Sequence, residues 1–223
     1  MIKNKKNGNE NEIIDIKVIL LGEMGVGKSN LLNAAADLGF DEISKSTVNS
    51  TYIEKRMKIL NKEYKVKLWD TAGQEKYRAL TKLFYQDSKV VIFVYDITSK
   101  TSFDGMKDYW YEQIKLNCEE NAILCVVANK NDLYAEQQIS DDEGQRFADS
   151  IDAIFQSTSA SQNIGIEQLF NHIGKKIINR DYDYKDSDKK AKATYNWKLQ
   201  QGKRSKDKIK LGQTNNNGGG CCG

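Results

Sequence analysis

Three short apolar runs, Ile16–Leu21, Val90–Tyr95 and Ile123–Ala128, are rich in Val, Ile and Leu and lack polar alternation. Such runs suit strands of a parallel sheet that is covered on both faces. A different pattern lies between them. Tyr64, Val66 and Leu68 alternate with Lys65 and Lys67, as in a strand with one wet face, and Asn61-Lys62 supplies a hairpin turn before it. Helical segments are predicted between the strands. Ser29–Ala36 follows the first run, and Ser102–Asn117 carries apolar residues at helical intervals. Ser140-Asp141-Asp142-Glu143 has the form of a capping box and opens a helix through Phe147 and Ala148. Ile166, Leu169, Phe170, Ile173 and Ile177 form one stripe on a helix over Ile166–Ile178. Strands alternating with helices predict a doubly wound α/β sheet.

The apolar periodicity stops near Arg180. The remainder is polar and ends in a run of Asn and Gly before Cys221-Cys222-Gly223, so it cannot bury enough surface to offset its chain entropy. Three parts are expected: a flexible extension over 1–12, one domain over 13–180, and a flexible tail over 181–223. The net charge is +3, yet Lys189 to Lys210 holds nine Lys/Arg against one acid, leaving −5 for the rest. A basic tail on a mildly acidic body suits an anionic surface, although a lysine-rich linker kept for solubility has the same composition. No stretch approaches the ~18–20 apolar residues of a spanning helix, and the polar start lacks the apolar core of a secretory signal. Cys118 and Cys125 fall in helical and apolar segments, which suits a reducing compartment. The single histidine, His172, reads as a packing or surface residue on the last helix.

Gly22-Glu23-Met24-Gly25-Val26-Gly27-Lys28-Ser29 fits G-x-x-x-x-G-K-[ST] between a strand and a helix. Backbone N–H groups that converge on phosphate need glycines, which reach positive φ and carry no side chain. Gly22, Gly25, Val26 and Gly27 would line that cradle. Lys28 would neutralise the outer phosphates at a helix N-terminus, and the Ser29 hydroxyl suits Mg²⁺.

Asn129-Lys130-Asn131-Asp132 follows the third apolar run, at the edge where α/β sheets bind ligands. Together with Trp69-Asp70-Thr71-Ala72-Gly73-Gln74-Glu75, it resembles the signature of the Ras superfamily of small GTPases. The resemblance implies a six-stranded, mostly parallel sheet with one antiparallel edge strand and helices on both faces. It also implies GTP or GDP as ligand and Mg²⁺ as cofactor. Asp132 would read the guanine edge, Lys130 would cover a ring face and Asn129 would brace the loop. Adenine would leave the Asp132 carboxylate desolvated and unpaired. Ser157-Thr158-Ser159-Ala160 resembles the second base loop, with Ser159 and the Ala160 amide beside the base, and Phe40 matches the aromatic packed against it. Family members usually carry lysine where this chain has Ser161, which removes one stacking arm. Asp70 and Thr47 would join Ser29 at Mg²⁺, the Gly73 amide would meet the γ-phosphate, and Gln74 would orient the attacking water. Met24 is a further departure, since it stands where a glycine or serine is usual and could crowd Gln74.

Within the superfamily, Lys67-Leu68-Trp69, Phe84-Tyr85 and Val94-Tyr95-Asp96-Ile97-Thr98 resemble Rab signatures. The segments 44–52 and 162–170 lean towards endocytic Rabs. Tyr52, Trp69 and Phe84 match the aromatic triad through which Rabs engage effectors. Cys221 and Cys222 resemble the Rab double-cysteine ending, which implies two prenyl chains, as stable anchoring requires. The resemblance implies a monomeric switch for vesicle traffic on the cytoplasmic face of an intracellular membrane, cycling with the cytosol. Its implied partners are an exchange factor, an activating protein, a GDP-dissociation inhibitor, the prenylation machinery and effectors, with no nucleic acid. A GTP-bound membrane scaffold with little hydrolysis remains an alternative.

Overall fold

The computed structural model describes residues 14–36, 51–59, 62–70, 85–118 and 121–186. Six strands form one sheet in the order β2-β3-β1-β4-β5-β6. They are β1 (Ile14–Leu21), β2 (Thr51–Ile59), β3 (Lys62–Asp70), β4 (Val90–Asp96), β5 (Ile123–Asn129) and β6 (Ile154–Ser157). The pair β2–β3 is antiparallel and the other pairings are parallel, as the family resemblance implies. The three apolar runs become β1, β4 and β5, neighbours in the sheet centre. All seven residues of β4 are buried, so both faces of the sheet are covered there. In β3 the side chains of Tyr64, Val66 and Leu68 are buried while Lys65 and Lys67 stay partly exposed, which follows the predicted alternation.

The helices are α1 (Lys28–Ala35), α2 (Lys100–Gly105), α3 (Glu112–Asn117), α4 (Asp141–Ser150) and α5 (Ile166–Ile178). At the start of α4 the Ser140 hydroxyl accepts from the Glu143 N–H at 3.2 Å, the serine half of a capping box. Helix α5 buries Ile166, Leu169, Phe170 and Ile173 together with His172, which is thus a packing residue.

One prediction needs correction. The helix expected over Ser102–Asn117 starts at Lys100, because the Ser99 hydroxyl caps the Ser102 N–H, and it is not α-helical throughout. Met106–Tyr111 is a π-helical segment between α2 and α3. Apolar periodicity alone misses it, since the buried residues of a π turn mimic a helical stripe. One core cluster unites Val91, Phe93 and Tyr95 of β4 with Phe103, Met106 and Trp110 from this region and Ala148 from α4. Cys125 lies fully buried in β5, where burial pushes its thiol pKa up, and Cys118 is half-buried after α3.

The chain divides after Arg180 into two units. Of the second, residues 181–186 are described, and there the Lys185 N–H donates to Asp183 Oδ1 at 2.9 Å. Among the described residues no helix is long and apolar enough to cross a membrane.

Candidate functional site: a nucleotide cradle at the strand ends

Strand β1 ends at Leu21 and the chain enters the loop Gly22–Gly27 before α1. Gly27 sits at the helix N-terminus with φ 95°, the left-handed region that glycine occupies at little cost. A Cβ there would collide with the Asn129 side-chain amide. Lys28, the first residue of α1, folds back over the loop and is only 6% exposed. Its Nζ donates to the carbonyls of Gly22 at 2.9 Å and Glu23 at 2.8 Å. Burial pulls its pKa down from 10.5 to about 8, while the charges of Asp70 and Glu23 oppose the shift. The lysine is therefore a desolvated ammonium held by two carbonyls of its own loop.

Ser29 comes next on α1, and its hydroxyl donates to Asp70 Oδ2 at 2.5 Å. The buried Asp70 stands at the end of β3, level with Leu20 of β1 in the parallel register, which is why the carboxylate reaches the helix start. A hydroxyl and a carboxylate are hard oxygen donors that suit Mg²⁺, which completes its shell with waters and phosphate oxygens. Among the described residues no cluster of three His, Cys, Asp or Glu side chains could hold a metal ion.

The base side is built from β5 and the loop after β6. Asn129 is 1% exposed and ties three segments together. Its Nδ2 donates to the Val26 carbonyl at 2.9 Å, and its Oδ1 accepts from Thr158 Oγ1 at 3.1 Å and the Ala160 N–H at 3.4 Å. The expectation that Asn129 braces the loop therefore has a concrete form: it joins the phosphate loop to the second base loop. Ser159 Oγ donates to Asp132 Oδ1 at 2.5 Å, and Ser161 Oγ lies 2.9 Å from Ser159 Oγ. The serine that replaces the family lysine thus adds a hydroxyl relay to Asp132, a gain that pattern matching did not foresee. An antiparallel bridge between Ser159 and Ile164 closes this loop.

Lys130 takes φ 65° and pairs with Asp96 Oδ2 at 2.7 Å. Asp96 Oδ1 in turn accepts from the Thr98 N–H at 2.8 Å and its Oγ1 at 2.7 Å. Asp96 was missed as a site residue. Its signal was available, since an acid closing a buried strand beside the base loop needs a partner. Thr158 was named only as part of the second base loop, without its bond to Asn129, and Glu23, whose carboxylate accepts from Trp110 Nε1 at 3.0 Å, was given no role.

Away from the cradle, the antiparallel register sets Tyr52 opposite Trp69, with ring centroids 4.8 Å apart. Tyr52 is 53% exposed, and Lys17 Nζ lies 5.5 Å from the Trp69 ring. Two of the three aromatics proposed to meet effectors are therefore brought together. Met24 is 58% exposed on the phosphate loop. Phe40, Thr47, Gly73, Gln74, Phe84, Cys221 and Cys222 lie outside the described residues.

A strand–loop–helix with a buried lysine, a serine–carboxylate pair beside it, and an Asn-Lys-x-Asp loop tethered to it defines a P-loop protein built for a guanine nucleotide. The model for the family described as "Ras family" matches residues 17–179. Ras-related protein Rab-21 of Homo sapiens is 35% identical over 207 residues, which cover 92% of this chain and 90% of that protein. Rab-22A of Homo sapiens is 35% identical over 167 residues, 75% of this chain and 86% of the relative. RabJ of Dictyostelium discoideum is 36% identical over 172 residues, 77% and 67% of the two chains. The chain belongs to the Ras family, on its Rab branch, and is a small GTPase.

Proposed function

We propose that this Rab-type GTPase is a Mg²⁺-dependent switch that recruits effectors to an intracellular membrane of the vesicle-transport system. The observation that supports the proposal is the bracing of one loop from two sides: Lys28 Nζ donates to the Gly22 and Glu23 carbonyls of the Gly22–Gly27 loop, and Asn129 bonds the Val26 carbonyl of the same loop and the Ala160 N–H of the second loop. In this reading Lys28 and the loop amides of Gly25, Val26 and Gly27 hold the phosphates. Asp132, Lys130, Ser159 and Ala160 hold guanine, with Phe40 against the ring. Ser29, Asp70 and Thr47 hold Mg²⁺, which when bound supplies charge neutralisation between the phosphates.

Gln74 orients the attacking water and the Gly73 amide meets the γ-phosphate, so hydrolysis releases both segments that carry Thr47 and Gly73. Turnover without a partner is slow, on the order of 10⁻⁴ s⁻¹ for Ras-type sites, because an activating protein must supply an arginine. Tyr52, Trp69 and Phe84 present the effector face. Prenyl chains on Cys221 and Cys222, helped by the basic tail, attach the protein to the cytoplasmic leaflet, from which a GDP-dissociation inhibitor retrieves it. The similarity to Rab-21 and Rab-22A supports an endocytic-type branch.

Single-turnover phosphate release from protein preloaded with GTP tests the reading. Slow release in the native chain, abolished by Gln74→Leu, is the expected result. Stable loading with no release from either protein would overturn the hydrolytic switch in favour of a GTP-bound scaffold.

A further inference from the structure

We propose that Trp110 is a positioning residue for the phosphate loop, acting through Glu23. The proposal rests on the reading of that loop as the nucleotide site. Trp110 is fully buried in the core beneath β4, yet its indole N–H reaches out to Glu23 Oε1 at 3.0 Å, 87 residues away in the chain. Glu23 is thereby held at both ends. Its carboxylate is anchored by Trp110, and its backbone carbonyl accepts from Lys28 Nζ at 2.8 Å. Of the two carbonyls that hold the buried Lys28 ammonium, one therefore has its residue pinned to the core by a charge-assisted hydrogen bond.

The π-helical segment explains how this contact is made. Residues five apart stand about 140° round an α-helix, whereas the i→i+5 bonding of a π turn brings them towards one side. Gly105, the residue before Met106–Tyr111, and Trp110 within that segment are five apart, and both face Glu23. A Cβ on Gly105 would lie 2.7 Å from Glu23 Oε1 and 3.1 Å from Glu23 Cγ. The missing side chain at Gly105 makes the space, and the indole at Trp110 supplies the donor. The local departure from α-helix is what admits Glu23, and what Glu23 gains is a fixed carbonyl beside Lys28.

The test is release of a fluorescent GDP from the preloaded full-length chain in Mg²⁺ buffer. Trp110→Phe removes the N–H and keeps an aromatic ring, and is expected to speed release about tenfold, the scale of one hydrogen bond to a charged group. Glu23→Ala should do the same, and the double variant should be no faster than the faster single. Glu23→Gln keeps an acceptor oxygen at the same reach and should recover most of the effect, to within about threefold of the native rate. Native-like release from Trp110→Phe, or a double variant whose acceleration is the product of the singles, would overturn the proposal. Should Trp110→Phe not fold, Glu23→Ala against Glu23→Gln decides: equal rates overturn it, and fast release from alanine alone supports it. A native chain that retains no GDP defeats the nucleotide reading itself, and the positioning role falls with it.

Discussion

Raising the pH from 7 to 9 is expected to weaken nucleotide binding through Lys28. In the free loop, loss of hydration on burial holds the Lys28 pKa near 8 rather than 10.5. Bound phosphate sets negative charge against the ammonium and restores a high pKa, so binding takes up a proton wherever the free loop has lost one. Binding is therefore at full strength below the lower pKa and declines as pH rises through it. The protonated fraction of the free loop falls from about nine tenths at pH 7 to about one tenth at pH 9, a loss of about tenfold in affinity, or ~1.4 kcal/mol. Folding of the ligand-free chain moves the other way. The unfolded lysine keeps its proton up to 10.5 and the folded one only to about 8, so stability rises with pH across that window. At pH 7 the buried charge costs the empty protein about 3 kcal/mol. Equilibrium titrations with fluorescent GDP at pH 7, 8 and 9, run beside Lys28→Arg, isolate the effect. Arginine stays charged throughout, and ionisation of the base affects both proteins alike. Parallel pH curves for the two proteins would refute the reasoning.

Two further substitutions probe the frame around the site. Asn129→Ala leaves the Val26 carbonyl, the Thr158 hydroxyl and the Ala160 amide without their shared buried partner, and should cost about 2–4 kcal/mol in urea unfolding. A loss below about 0.5 kcal/mol would mean that Asn129 does not join the two loops. Gly144→Ala lies in mid-helix, where alanine ordinarily gains about 1 kcal/mol. Here the new methyl would collide with the Tyr95 hydroxyl and stand 2.6 Å from Phe155 Cε2, two buried or half-buried rings with little room to move. Overpacking reverses the sign, and a loss of about 1–3 kcal/mol is expected, seen as a lower Tm. A higher Tm would contradict it.

The order of elements and the cradle's residue types were legible in the sequence, because each rests on local chemistry. Runs of β-branched residues announced β1, β4 and β5. The stripe on Ile166–Ile178 matched α5 over the same residues. Glycines and a lysine at fixed spacing announced the phosphate loop, since only those residues let backbone amides and an ammonium converge on one anion. Partnerships were not legible, because they join residues far apart in the chain. Lys130 with Asp96, Asn129 with Val26 and Thr158, and Trp110 with Glu23 all arise from parallel strand register and helix packing. The π turn at Met106–Tyr111 belongs to the same class, since a helical stripe reads alike with or without one inserted residue. The sequence by itself thus determined which groups could hold a nucleotide, through backbone freedom, charge and periodicity. Only the tertiary structure decided how those groups are held. Desolvation, register and the need of every buried polar atom for a partner operate between segments, and no single segment carries them.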